Sequence, residues 1–474
     1  MGSLENRAIN RVLNPIPPVR KLRSPRLGVS PPPVHPIPPR STSQFPLPMP
    51  AAPSTNSFQK IGLYSYCVYL FSGYANDLSL HFLGGKAYLS WVSGLLVIVA
   101  FIGGGNAFRG SKSKIGRAWL GLMCCLILSA PFSIWRGESV DLLKTYIPRI
   151  LGLFFYCCAF TVTLKNCRTL VITNVACTSA ILLCALLFGA ADESGRFSIP
   201  DSLFFGGAND LALALVCSLG FSLFLILQKS ALAQILGAGE FLLTLFYLLK
   251  TGSRGGFLAL AAFLAVWLIF SKGRWKLIAL TIPALAFIVI LPGSTLSRLV
   301  EIATPGSLNA STANDAAKES QMERTMLLQK SIVYALTNPV LGLGPGTFTD
   351  ALWRDDVANL THTHALGTHN TYTQMASECG LPALCFYMLV LFGSIGFNFR
   401  IMQRTRSMPG GETVFTMAIC LFGSLIAFAI ATIFHHDAYS PNLPILSGIS
   451  AALELASRGG DQRWLEHEIA AGNI

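Results

Sequence analysis

Apolar residues in this chain gather in long runs instead of marking one face of a helix or alternating along a strand. A run of about 17–23 apolar residues is long enough to cross a bilayer core as a helix. Such runs fall at 61–80, 87–105, 118–135, 147–163, 169–190, 208–227, 231–249, 255–271, 275–292, 379–398, 412–434 and 440–456. The first carries Asn76 and Asp77 near its end and the last starts at Pro441, so these two are the least regular. The pattern predicts an all-α fold, a polytopic membrane helix bundle of about 12 transmembrane helices. One polar stretch, residues 293–378, interrupts the series and is too long for a plain connection.

That stretch has helical patterning of its own. Met322, Met326, Val333 and Leu336 recur at helical steps within Lys318 to Thr337, and Asn338-Pro339 ends the segment. Gly342-Leu-Gly-Pro-Gly346 is a turn cluster, and Phe348 and Trp353 follow as apolar anchors. From Asn370 to Cys379 a further helix is expected, capped by Asn370 or Thr371. Gly380-Leu-Pro382 then leads into the next span.

Composition agrees with a lipid-facing protein. Hydrophobic residues make up 52% of the 474 and charged residues 12%, with mean hydropathy +0.54. A soluble domain carries about 25% charged residues. The net charge of +12 does not read as a nucleic-acid groove, because it is spread over a tail and short connections. With twelve spans, 23 of the 35 Lys and Arg fall on one side, which places both termini in the cytoplasm and the long stretch outside. The expected organisation is a Pro-rich basic cytoplasmic tail at 1–56, helices 1–9 within 57–292, an extracytoplasmic helical loop at 293–378, helices 10–12 within 379–456, and a cytoplasmic tail at 457–474. Residues 1–56 hold fourteen of the 26 prolines and have no apolar period, so they are expected to be disordered. No signal peptide is visible there. The twelve cysteines lie mostly inside apolar runs, without a C-x-x-C pair, and read as small apolar residues.

On the outward side cations are scarce. Arg254 sits in Thr251-Gly-Ser-Arg-Gly-Gly256 between two spans, where glycine allows close approach to a ligand and a guanidinium fork matches phosphate oxygens. An arginine snorkelling to headgroups is the structural alternative. Arg196 follows Ala191-Asp-Glu-Ser-Gly195, and Asp210, costly at the start of a span unless paired, is a candidate partner for it. Arg324 lies on the outer helix, where a solvated charge is the plain alternative. His369 is the base candidate, since imidazole titrates near neutrality and can take a proton from a sugar hydroxyl. A capping or packing histidine is its alternative. His362, His364 and His369 with His435-His436-Asp437 offer enough ligands for zinc, but no H-E-x-x-H fixes them together. No nucleotide-binding motif is present. A substrate for an outward-facing enzyme of this kind brings its own activation.

Three blocks give the chain a resemblance to the O-antigen ligase and polymerase family. They are Thr251-Gly-Ser-Arg-Gly-Gly-Phe-Leu-Ala-Leu260; Arg324 with Asn338-Pro-Val-Leu-Gly-Leu-Gly-Pro-Gly-Thr-Phe348; and Thr368-His-Asn-Thr-Tyr372 with Glu378-Cys-Gly-Leu-Pro382. The likeness is strong over about residues 250–400; the earlier spans match in general layout only. It implies a bacterial inner-membrane glycosyltransferase, independent of metal and cofactor. The donor would be a polyprenyl-diphosphate-linked glycan, and the acceptor a saccharide such as lipid A–core or a lipid-linked glycan. By the same resemblance Arg254, Arg324 and Arg196 would bind the diphosphate and His369 would be catalytic. Where the family often has Pro-Asn, this chain has Gly207-Ala-Asn-Asp210, and its proline tail lies outside the family pattern. A polymerase with a lipid-linked acceptor is the near alternative. A lipid-glycan flippase or transporter is the alternative of another class, though no clear internal repeat is present.

Overall fold

The computed structural model describes residues 56–84, 88–193, 195–271, 312–359, 366–408 and 410–457. The expected tail apart from Asn56, the run at 275–292, the segment 458–474, His362 and His364 lie outside the described residues. The regular elements described are helices apart from one short strand pair. The helices are α1 Ser57–Tyr74, α2 Asn76–Leu83, α3 Leu89–Gly103, α4 Lys114–Phe132, α5 Arg136–Phe160, α6 Leu164–Phe188, α7 Ala208–Ile226 and α8 Ala231–Lys250. They continue with α9 Arg254–Phe270, α10 Thr312–Thr337, α11 Phe348–Asn359, α12 Thr371–Thr405, α13 Glu412–Ala431 and α14 Asn442–Ser457.

Seven of these, α4 to α8 with α12 and α13, are long and apolar enough to cross a membrane. The protein is an all-α, multi-pass membrane protein. Two further apolar helices, α3 and α9, are shorter. The first expected run differs from the expectation: it is two helices broken at Ala75 instead of one span. The break has a physical cause in Asp77, which is 2% exposed and cannot lie among lipid tails unpaired. Ser202 Oγ donates to its carboxylate at 2.6 Å. The fourth run begins earlier than expected, because the polar turns from Arg136 to Thr145 continue the same helix.

Polar side chains fasten the helices where hydrophobic contrast with lipid gives no drive to associate. Trp119 Nε1 donates to Ser447 Oγ at 3.0 Å, joining α4 to α14. Asn398 Nδ2 donates to Ser450 Oγ at 2.8 Å, joining α12 to α14. Glu240, buried on α8, accepts from Ser222 Oγ at 3.0 Å and Ser179 Oγ at 3.2 Å, so its carboxyl is shared by three helices.

The two ends of the bundle differ. At one, Arg109 Nη1 donates to the carbonyls of Cys158 at 2.7 Å and Thr161, covering the open C-terminus of α5. Arg168 reaches Gln228 at 3.2 Å at the same end. At the other end lie the connections 189–207, 251–253, 338–347, 366–370 and 432–441. There α12 bends sharply. Gly380 has φ +84 and ψ 169, outside helical values, and Pro382 follows it. The first leg, Thr371 to Cys379, is capped by Asn370, whose Oδ1 accepts from the amides of Tyr372 at 2.9 Å and Thr373 at 3.0 Å.

Candidate active site

The site is built where four of these connections meet, 189–207, 251–253, 366–370 and 432–441. Ala190–Ala191 pairs antiparallel with Phe197–Ser198, and this short hairpin presents Arg196. Arg196 Nη2 donates to Asn209 Oδ1 at 2.6 Å and its Nε to the carbonyl of Thr251 at 3.3 Å. Ser253 Oγ donates to the same Asn209 oxygen at 2.9 Å. Ser253 also caps α9 by accepting from the amide of Gly256, which makes Arg254 the first residue of that helix. Asn209, left without a role by the sequence, therefore ties the start of α7 to both arginine-bearing connections.

The glycines after Arg254 have a packing use. A Cβ on Gly255 would meet Phe434 Cβ at 3.0 Å, and one on Gly256 would meet Ala212 Cβ at 3.1 Å. They let α9 approach the 432–441 connection and α7 closely.

His369 precedes the cap of α12 and sits at φ +50, a left-handed backbone that a non-glycine residue seldom adopts. Its connection is stapled to the one after α13. Thr371 N donates to the carbonyl of Thr432 at 3.0 Å, Asn370 Nδ2 to that of Ile433 at 3.0 Å, and Thr371 Oγ1 to that of His435 at 2.7 Å. Thr371 Oγ1 in turn accepts from the amide of Asp437 at 2.8 Å. These bonds bring three imidazoles into a row. His369 and His436 have ring centroids 5.2 Å apart, and His436 and His435 are 5.0 Å apart. Gly367 leaves room for the middle one, since a Cβ there would lie 3.1 Å from its ring. Among the described residues, the Nδ1 atoms of all three are buried and lack a hydrogen-bond partner.

Asp210 is paired, as its place at the start of an apolar helix demands, and the partner is His435. The Nε2–Oδ1 distance is 2.7 Å. The sequence offers Arg196 for this part; the one local signal at His435 is the adjacent His-His-Asp, which by itself reads as a metal alternative. Among the described residues no three His, Cys, Asp or Glu side chains are grouped to hold a metal ion.

The charges of the site act on one another. Burial, then His436, Arg324, His435 and Arg196, pushes His369 down to about 4. Burial, then His435, pushes His436 down to about 4. Both are neutral at pH 7. Burial alone would depress His435 as well, but its hydrogen bond to Asp210 and the charges of Asp437 and Asp210 outweigh it and hold it above the ordinary imidazole value. Burial raises Asp437 to about 6, against the opposing pull of His435, Ser440 and Asn442. Arg324, half-buried on α10, faces both His369 and His435 electrostatically. The structure thus brings Arg196, Arg324 and His369 to one place, with Arg254 adjoining through Ser253, Asn209 and Phe434.

Glycine-rich Gly342–Gly346 does not cradle the site. Leu343 N donates to the carbonyl of Ser377 at 2.9 Å, Gly344 N to that of Glu378 at 2.8 Å, and Leu381 N to that of Pro339 at 2.8 Å. Glu378 Oε2 accepts from Gly346 N at 2.9 Å and from Tyr439 Oη at 2.5 Å. This cluster braces the bend of α12.

The family model described as O-antigen ligase matches residues 240–388. Arg254, Arg324 and His369 lie within the matched stretch; Arg196, Asp210 and His435 lie outside it. No curated protein matches the chain. Over residues 240–388 the chain is thus similar to the O-antigen ligase family.

Proposed function

We propose that this protein transfers a glycan from a polyprenyl-diphosphate donor to an acceptor hydroxyl, on a lipid A–core sugar or a similar saccharide. The observation that carries the reading is the convergence of Arg196, Arg324 and neutral His369, with Arg254 beside them. Guanidinium groups at Arg196, Arg254 and Arg324 bind the diphosphate oxygens and meet the charge that develops as it leaves. His369 accepts the proton of the acceptor hydroxyl while that oxygen attacks the anomeric carbon on the face opposite the departing phosphate. The sugar–phosphate bond breaks and its electron pair leaves with the diphosphate. A base with a pKa of about 4 is weak, but part of that depression comes from Arg324 and Arg196. An anionic diphosphate between them offsets their field, so donor binding itself makes His369 more basic.

In this reading the chain crosses the bacterial inner membrane about twelve times, with cytoplasmic termini and residues 293–378 as the outward catalytic loop. What supports the orientation is the collection of basic connections around Arg109 and Arg168 at the end of the bundle remote from His369. The test is transfer by purified His369→Ala and Arg254→Ala variants, given lipid-linked donor and acceptor. Both are expected to lose transfer; wild-type rates in both would refute the assignment. Product length distinguishes ligation from polymerisation, since a polymerase extends a lipid-linked acceptor.

A further inference from the structure

His435 was not expected to act on substrate, yet its surroundings single it out. It is 6% exposed, so a polar ring atom there needs a partner. Nε2 has one in Asp210 at 2.7 Å. That bond fixes the ring and leaves Nδ1 as the buried atom with no partner among the described residues. Asp210 lies in the first turn of α7, one residue after Asn209, which holds Arg196. The other charged or titratable neighbours of His435 within the site are Asp437, His436, Arg324 and His369. An unmet donor position beside two arginines suits an anion.

We propose that His435, clamped by Asp210, is a further diphosphate-binding residue, donating Nδ1–H to an oxygen of the leaving diphosphate. The inference rests on the transfer reading above and adds a cation to it. The proton stays on the imidazolium throughout; the electron pair of the broken sugar–phosphate bond remains on the diphosphate oxygen that Nδ1–H faces, so no co-reactant is required. His369 and His435 then have opposite tasks. One must be neutral to accept a proton, and the other must be charged to support the leaving group. The carboxylates divide them, because Asp210 and Asp437 flank His435. The groups facing His435 are Asp210 from α7, Asp437 and His436 from its own connection, Arg324 from α10, and His369 beyond His436. The two carboxylates favour the imidazolium and Arg324 opposes it. The raised pKa of His435 agrees with the balance.

Support from His435 is present at low pH and is lost as pH rises through its folded pKa. The experiment follows transfer by the full-length protein from a purified polyprenyl-diphosphate glycan over about pH 6 to 9, fitting donor KM and kcat separately. His435→Gln is expected to weaken kcat/KM for donor by about tenfold near neutrality, leave acceptor KM in place, and remove the alkaline limb. Asp210→Asn keeps an acceptor for Nε2–H but loses the charge, so it is expected to move that limb to lower pH. A His435→Gln variant with the wild-type donor kcat/KM and alkaline limb overturns the inference. If His435→Gln does not fold, Asp210→Asn decides, and an unmoved limb overturns it. A wild-type donor kcat/KM that is flat across the range overturns it without any variant. Loss of transfer in His369→Ala together with an unchanged His435→Gln would sink this inference alone; normal transfer in His369→Ala and Arg254→Ala would sink the reading beneath it.

Discussion

Two polar clusters lie at the same end of the bundle and behave oppositely. Around Glu378, Gly346 N–H and Tyr439 Oη both reach one carboxylate oxygen, and the neighbouring backbone amides find carbonyls. Along His369, His436 and His435, three buried ring nitrogens lack partners among the described residues. A buried polar group left unmet costs about 1–3 kcal/mol, so a site that keeps several is held for something other than stability. The first cluster is a brace and the second is poised for a ligand. Substitutions ought to separate them cleanly, with activity lost and stability kept in one, and the reverse in the other.

The largest effect belongs to the row. His369→Gln is expected to lower kcat by about 10²–10⁴-fold, the range of a general base, with little change in thermal unfolding. A fall in melting temperature proportional to the activity loss would erase the contrast and make His369 another brace residue. Arg324→Ala is expected to behave likewise, by about 10²–10³-fold, since a lost donor at developing charge has that scale.

The brace gives the next effect. Glu378→Ala removes the acceptor of Gly346 N–H and Tyr439 Oη, and destabilisation of about 2–4 kcal/mol is expected from two orphaned buried donors. Unfolding in denaturant measures it, and kcat per folded molecule should hold. Gly380→Ala tests the same region through the backbone. A Cβ there would lie 2.3 Å from the carbonyl oxygen of Val340, and φ is +84. The expected cost is about 1–3 kcal/mol. A variant of either kind that folds normally but is inactive would move the brace into the catalytic apparatus.

This contrast also explains what could be read without coordinates. The Asn370 cap, the stop at Asn338-Pro339 and most apolar runs depend on local chemistry, and they are where the pattern predicted. The arginines were found through their scarcity on one side of the chain. The partnership of His435 with Asp210 spans 225 positions and has no local signature. Asp210 reads as costly where it stands and His435 as part of a metal alternative, so each takes a local explanation. The break at Ala75 was hidden for the same reason: Asp77 is tolerated only because Ser202, 125 positions away, reaches it. The packing role of the glycines is non-local in the same way. Gly255 and Gly342 are both fixed by packing, and a Cβ on Gly342 would lie 2.4 Å from the carbonyl of Glu378.

The smallest and most discriminating effect is on stability against pH. His369 and His436 are depressed to about 4 from the ordinary 6.5, so between those values the unfolded chain binds protons that the folded site refuses. Their contribution is intact above about 6.5 and is lost as pH falls toward 4. Asp437, raised to about 6, works in the other direction, because the folded state takes its proton first and gains as pH falls from 6. A simple acid titration of the wild-type protein therefore mixes opposing terms. The difference between wild type and His369→Gln isolates one of them. Acidification from pH 7 to about 4.5 should lower the melting temperature of the wild-type protein more than that of His369→Gln. Inorganic diphosphate should shrink the gap, since an anion among Arg196, Arg324 and His369 lets the imidazole protonate inside the folded site. A gap that ignores diphosphate would mean that the anion binds elsewhere, and the row would lose its distinction from the brace.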